Sequence, residues 1–248
     1  MGILRFIAAA STALLVFERY AFVPEIFKPG LCDFVPLGGV NETVLPSECY
    51  FSESYWEARA KFRMLAKAAG AELRKEEIVS GDYTMDFAVF RGKGTGVVVH
   101  SSATHGVEGF AGSGIQCAKL HQLAIDARKN AGKLPDADAS PTIIFVHAVN
   151  PYGMAHFRRF NEHNVDLNRN AIPAEEWPDL LKRDPNVAKY EEFASVFNPT
   201  RAPSIFDAYI GYFSRAVYNI AVHGFVSLKR AVVTGQYVSV CSQPCSST

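Results

Sequence analysis

The 248-residue chain has no surplus of either charge, with 25 Lys and Arg against 25 Asp and Glu. Without a net field or a basic stripe, neither nucleic acid nor an anionic membrane surface is indicated as its main partner. A phosphate-cradling GxxxxGK[ST] loop and any repeat period are also missing, so there is no signal for a nucleotide site or a solenoid. Cysteine is scarce: the five residues are an odd count. Cys32 and Cys49 flank the sequon Asn41-Glu42-Thr43. In the secretory pathway a disulfide there and a glycan at Asn41 are expected, and in a reducing compartment free thiols and an unused sequon. Cys117 reads as core, and Cys241 and Cys245 form a CxxxC without a nearby His, a weak zinc signal. Long apolar runs are absent except for residues 3–17, ILRFIAAASTALLVF. That run is shorter than the roughly 20 residues a bilayer span requires, and no small-x-small cleavage site follows it. It predicts a signal peptide or signal-anchor over 1–19, with membrane attachment through 3–17, in a secretory or membrane-anchored protein. The alternative is a buried or interfacial helix in a cytoplasmic one. The MGILRF start lacks the Ser or Thr at position six that myristoylation requires.

The rest can build a core, since 48% of residues are hydrophobic and 20% charged, enough for one domain. Residues 20–46 read as a linker broken by Pro24, Pro29, Gly30, Pro36, Gly38 and Gly39, followed by a domain over 47–237 and a Ser/Cys tail over 238–248. The spacing of Tyr55, Trp56, Phe62, Leu65, Ala66 and Ala69 predicts a helix over 52–69, capped by Ser52 and stopped by Gly70. Strands are predicted over 72–79, 84–90 and 96–100, then a helix over 110–128 and a strand over 142–149. Residues 97–100, a short β-branched run, read as a strand buried on both faces. Strand, long helix, strand implies a parallel pair in a right-handed βαβ unit. The fold expected is α/β, three-layer α/β/α, with a mixed, largely parallel sheet. Phe206, Ile210, Phe213, Val217, Ile220, Gly224 and Leu228 recur every three or four positions, so 205–232 reads as one or two helices burying that stripe.

Chemistry gathers in two stretches, both leaving strand ends, where ligands of α/β sheets bind. Residues 97–116, VVVHSSATHGVEGFAGSGIQ, set His105 and Glu108 three positions apart in a glycine-rich turn. Imidazole and carboxylate are both zinc donors, and catalytic zinc commonly takes two His and one Glu plus an open position. Residues 150–170, NPYGMAHFRRFNEHNVDLNRN, are packed with amides and guanidinium groups and look like an anion clamp, because Arg grips a carboxylate bidentately. Surface salt bridging is the plain alternative for Arg158, Arg159 and Arg169 taken singly.

Together, HGVEG and NPYG…RR…NVDLNRN resemble the zinc metallocarboxypeptidase superfamily, including its desuccinylase and aspartoacylase relatives, and most closely its DUF2817 branch, over roughly residues 50–237. The resemblance implies that His105 and Glu108 are the first two zinc ligands. Asn168 and Arg169 would hold a substrate carboxylate, and Arg158 or Arg159 would polarise the scissile carbonyl. Asp166 would be a structural hydrogen-bonder within its loop. The third His ligand and the general-base Glu of the family are not identifiable, and the carboxyl end reads as truncated. His223 stands in a VHG that superficially suits a ligand, but the periodicity puts it on a helix. Two readings follow: a zinc hydrolase of an amide or peptide bond next to a free carboxylate, acting on a small carboxylate-bearing or peptide substrate, or a non-enzymatic derivative that acts by binding or has no function.

Overall fold

The computed structural model describes residues 32, 43, 45–81, 83–130, 140–169, 172–184, 186–197 and 204–234. The apolar run 3–17, Asn41 and the tail 238–248 lie outside the described residues. Four strands form one sheet: β1 (Glu72–Val79), β2 (Tyr83–Phe90), β3 (Val97–Ser101) and β4 (Thr142–His147), in the order β1-β2-β4-β3. The helices are α1 (Tyr55–Ala68), α2 (Gly109–Lys129), α3 (Pro151–Ala155), α4 (Trp177–Leu181), α5 (Ala194–Phe197), α6 (Tyr212–His223) and α7 (Phe225–Thr234), with short 3-10 turns between them and a π-helical turn over Asp207–Gly211 before α6. None of the described helices is long and apolar enough to cross a membrane.

The α/β class is as expected, and the sheet is mixed. Its parallel share is smaller than the sequence reading had it, because β3 and β4 pair parallel while β1 with β2 and β2 with β4 pair antiparallel. A βαβ crossover enforces a parallel pair only where a long helix intervenes, and α2 intervenes only between β3 and β4.

The first helix starts two residues later than predicted. Ser54, not Ser52, accepts the Glu57 amide, and Gly70, at φ +79°, closes the helix by donating to Lys67 O while Ala71 donates to Ala66 O. Helices α1 and α2 share one face of the sheet. Phe62 and Leu65 of α1, Leu120 and Ala124 of α2, Ala88 and Phe90 of β2 and Phe145 of β4 make the main core. On β2 the alternation is strict: Thr84, Asp86, Ala88 and Phe90 are buried, whereas Met85, Phe87 and Val89 on the other face are only partly covered. The expected three layers are therefore realised fully on one face only among the described residues.

Two polar devices lie inside this packing. Asp86 is fully buried and receives Arg59 Nε at 2.7 Å, Arg63 Nη1 and the Thr84 hydroxyl at 2.7 Å, so both arginines of α1 anchor the helix to β2. Opposite Asp86 in the register stands His147, stacked on Phe62 and bonded through Nε2 to Ser113 Oγ at 2.9 Å. Burial pushes the His147 imidazole down to about 4, although the charge of Asp86 works the other way.

The expectation that β3 is buried on both faces is not met. Among the described residues it is an edge strand, and Val97, Val98 and Val99 are 62%, 50% and 60% exposed. An unbroken apolar run reads the same at an edge as at a centre. The opposite edge, β1, carries Glu72, Arg74, Lys75, Glu76 and Glu77, the charged residues that discourage strand addition. Cys32 and Cys49 form a disulfide, while Cys117 is a free thiol in the core whose pKa burial pushes up to about 12.

His147 sets an acid limb of stability. Its folded pKa lies below the unfolded value of about 6.5, so the unfolded chain takes up the proton first. Stability should be whole above pH 6.5 and fall by about 3 kcal/mol as pH drops towards 4; urea titrations across that window would read it, and His147→Gln should flatten the slope. Asp86→Ala, which removes the buried carboxylate that Arg59 and Arg63 share, should cost about 3 kcal/mol in the same assay.

Candidate metal and anion site

The turn leaving β3 carries His105 and Glu108, and its path is set by close backbone approach. A Cβ on Gly106 would occupy the space of the Gly153 carbonyl, and one on Gly153 would strike the Asn150 amide and the Phe160 carbonyl. Glycine at both positions lets the loop after β3 lie against the start of α3. Asn150 organises this junction. It caps α3 by accepting the Gly153 amide at 2.8 Å, with Pro151 at the first helical position, and donates its Nδ2 to Arg159 O at 3.3 Å. Asn150 had no role in the sequence reading, although an Asn-Pro pair directly after a strand is a legible cap signal.

At the centre is Asp166, fully buried. Its Oδ1 lies 3.0 Å from His105 Nε2 and accepts the Asn168 amide at 3.0 Å, and its Oδ2 accepts Arg159 Nε at 3.2 Å. Burial alone would raise the Asp166 carboxyl, but the His105 hydrogen bond, the Arg159 charge and the Asn168 amide outweigh it and hold it below the usual carboxylate range. On the other side of the ring, His105 Nδ1 is 3.1 and 3.3 Å from the two oxygens of Glu108, whose side chain is mostly exposed and stands 3.8 Å from Arg159 Nη1. The expected pair is thus brought together, with Asp166 reaching beyond its own loop to orient His105.

A family model described as "Protein of unknown function (DUF2817)" matches residues 51–241. The chain belongs to the DUF2817 family. No curated protein and no solved structure matches it.

Of the two candidate arginines of this DUF2817 chain, Arg159 touches the His105–Glu108–Asp166 group. Arg158 lies towards His156, whose pKa is lowered by burial first and by the Arg158 charge second. Asn168 joins the group through its main chain, with its side chain exposed. Arg169 is directed elsewhere: its Nε and Nη2 donate to Val233 O at 3.1 and 2.7 Å and its Nε to Thr234 O at 3.1 Å, so the guanidinium caps the carboxyl end of α7. His223 ends α6, as its helical periodicity predicts, with Nδ1 3.3 Å from Glu192 and its ring against Phe193. Among the described residues no group of three His, Cys, Asp or Glu is placed to hold a metal ion.

A zinc ion tests this donor set. Two donors each about 2.1 Å from a tetrahedral zinc stand roughly 3.4 Å apart, close to the 3.1 and 3.3 Å between His105 Nδ1 and the Glu108 oxygens. A metal-binding His characteristically gives its other nitrogen to a carboxylate, and Nε2 faces buried Asp166. The residues fit two points of a zinc seat and its supporting carboxylate.

Gly106→Ala should cost about 3 kcal/mol in urea unfolding through overpacking against Gly153. Asp166→Asn should leave the backbone trace intact but weaken the fold at neutral pH. Because the Asp166 pKa is depressed, its contribution is full above the unfolded value of about 3.9 and is lost as pH falls through the folded one. The variant should therefore show less acid loss than the parent below pH 4, read by circular dichroism.

Proposed function

We propose that this DUF2817 chain is a zinc-dependent hydrolase of the metallocarboxypeptidase type, cleaving an amide or peptide bond next to a free carboxylate. One observation carries the reading. A neutral imidazole has one N–H and one lone pair, so if Nε2–H serves buried Asp166, the Nδ1 lone pair faces the Glu108 carboxylate, acceptor against acceptor. A second proton or a metal cation between them relieves that conflict, and the 3.1 and 3.3 Å spacing admits the cation as it admits a hydrogen bond.

His105 and Glu108 would hold the zinc, which when bound supplies Lewis-acid polarisation and water activation near neutral pH. Asp166 fixes the His105 ring and raises its basicity as a ligand. Arg159, already tied to Asp166 and close to Glu108, would steady the negative charge that develops on the scissile carbonyl oxygen. Asn168 and Arg169 would select the substrate carboxylate, and Arg169 would exchange the α7 carbonyls for it. The Cys32–Cys49 disulfide supports a secretory or membrane-anchored setting over a cytoplasmic one.

A second reading, a derivative of the fold that works by binding alone, is favoured by two observations: no three-donor group stands among the described residues, and Arg169 is already engaged.

The two readings separate on the purified chain dialysed against zinc. Stoichiometric metal by mass spectrometry, lost in His105→Ala and Glu108→Ala, with hydrolysis of N-acyl amino acids but not of their C-terminal amides, supports the hydrolase. Arg159→Ala should then lower kcat by about 10² with zinc content unchanged, and Arg169→Ala should raise KM. A chain that binds carboxylate ligands without zinc or turnover is the non-catalytic derivative.

A further inference from the structure

Exposed apolar side chains are common in this chain. The stripe of Phe206, Ile210, Phe213 and Val217, which the sequence reading had buried, points outward at 62%, 54%, 71% and 49% exposure. Phe157 is exposed too, at 61%, but its backbone is also held in an unfavourable conformation. It follows α3 and its cap His156 with φ +53°, and the Arg158 amide returns to Gly153 O at 2.7 Å, the closure of a Schellman turn. Glycine is the residue that this left-handed position favours, and a bulky side chain there is an outlier. The fold does not bury the ring in return. One face stacks on Phe110, with centroids 5.5 Å and planes 16° apart, and the rest is open; Phe110 packs, partly buried, on the cluster of Tyr55, Ala103 and Met154.

The stack joins the same two loops as the candidate metal site. Phe110 stands two residues after Glu108, and Phe157 two before Arg159, whose Nη1 lies 3.8 Å from Glu108. We propose that Phe157 and Phe110 form an aromatic subsite for the acyl group of the substrate, so that the bond cleaved joins an aromatic acyl group to the nitrogen of an amino acid. This rests on the zinc-hydrolase reading of the site. The His105 ring sets which side of the bond the stack serves. Its Nε2 faces Asp166, from whose turn Asn168 and Arg169 follow, and its Nδ1 faces Glu108, from which Phe110 follows. The two nitrogens point away from each other, so the carboxylate-selecting residues and the aromatic pair flank the zinc seat from opposite sides. A substrate with its carboxylate on the Asp166 side extends its acyl group towards Phe157. A flat ring gains most there through offset stacking, which an acetyl group lacks.

Calorimetric titration of the full chain with N-phenylacetylglycine and N-acetylglycine, as purified and after dialysis against zinc, tests the subsite apart from turnover. The phenyl compound should bind about 10-fold more tightly in both states. Phe157→Gly should bring that ratio to about one and melt no lower than the parent, since glycine takes φ +53° without strain. In the zinc-loaded chain kcat/KM for the two compounds should carry the same ratio and lose it in the same variant. No binding of the phenyl compound, equal affinities, a ratio that survives Phe157→Gly, or a lower melting temperature in that variant would each overturn the subsite. A binding ratio without zinc uptake or turnover leaves the subsite standing and removes the hydrolase reading; turnover without a ratio does the reverse.

Discussion

The carboxylate of Asp166 is the constraint on which the candidate site depends. Buried without solvent, it needs partners, and it takes a ring nitrogen from the loop after β3, a guanidinium from the loop after α3 and a main-chain amide from its own turn. The loop after β3, 61 residues away in sequence, is thereby held to the loop that follows α3 around one charge. A buried carboxylate left with fewer partners would protonate or draw in water. The same contacts aim the free side of His105 at Glu108 and bring Arg159 alongside, so the polar accounting of one aspartate and the geometry of the site are a single arrangement.

That arrangement needs the two loops to touch, which the sheet provides. Parallel pairing of β3 with β4 brings both carboxyl ends to one rim, and Gly106 against Gly153 removes the side chains that would hold the loops apart. Below the rim, Gln116 of α2 donates to the His100 and Val146 carbonyls at 3.0 Å each and accepts from Ser102 Oγ at 3.2 Å, tying helix and both strands together just where the loops begin. Preorganisation of this kind lets a site act without reorganising during reaction.

Much of the architecture was legible from residue pattern. The four strands fall within a few residues of their predicted limits, because Gly and Pro turn signals between them leave little choice, and α2 ends within about a residue of its expected bounds. The His105–Glu108 pair was legible because three positions of a tight turn can hardly separate two side chains. What was not legible depends on neighbours distant in sequence. An apolar run does not say what covers its two faces, so the pattern of β3 reads as a strand buried on both. A helical stripe does not say which way it faces, so Phe213 was read as core. A guanidinium does not name its acceptor, so Arg169 was assigned to a substrate while the structure has it capping α7. Asp166 reads as serving its own loop, since nothing local in NVDLNRN points to His105 in the loop after β3.

In the proposed zinc seat, His105 Nδ1 and Glu108 share one ion. X-ray absorption at the zinc edge of the metal-loaded chain tests it most directly, because nitrogen and oxygen donors scatter from about 2.0–2.1 Å and thiolates from about 2.3 Å. The expected spectrum is a nitrogen and oxygen shell with the outer features of an imidazole, reduced to background by Glu108→Ala. A sulfur shell, which would put the metal on Cys241 and Cys245, or a shell unchanged in Glu108→Ala, would contradict it.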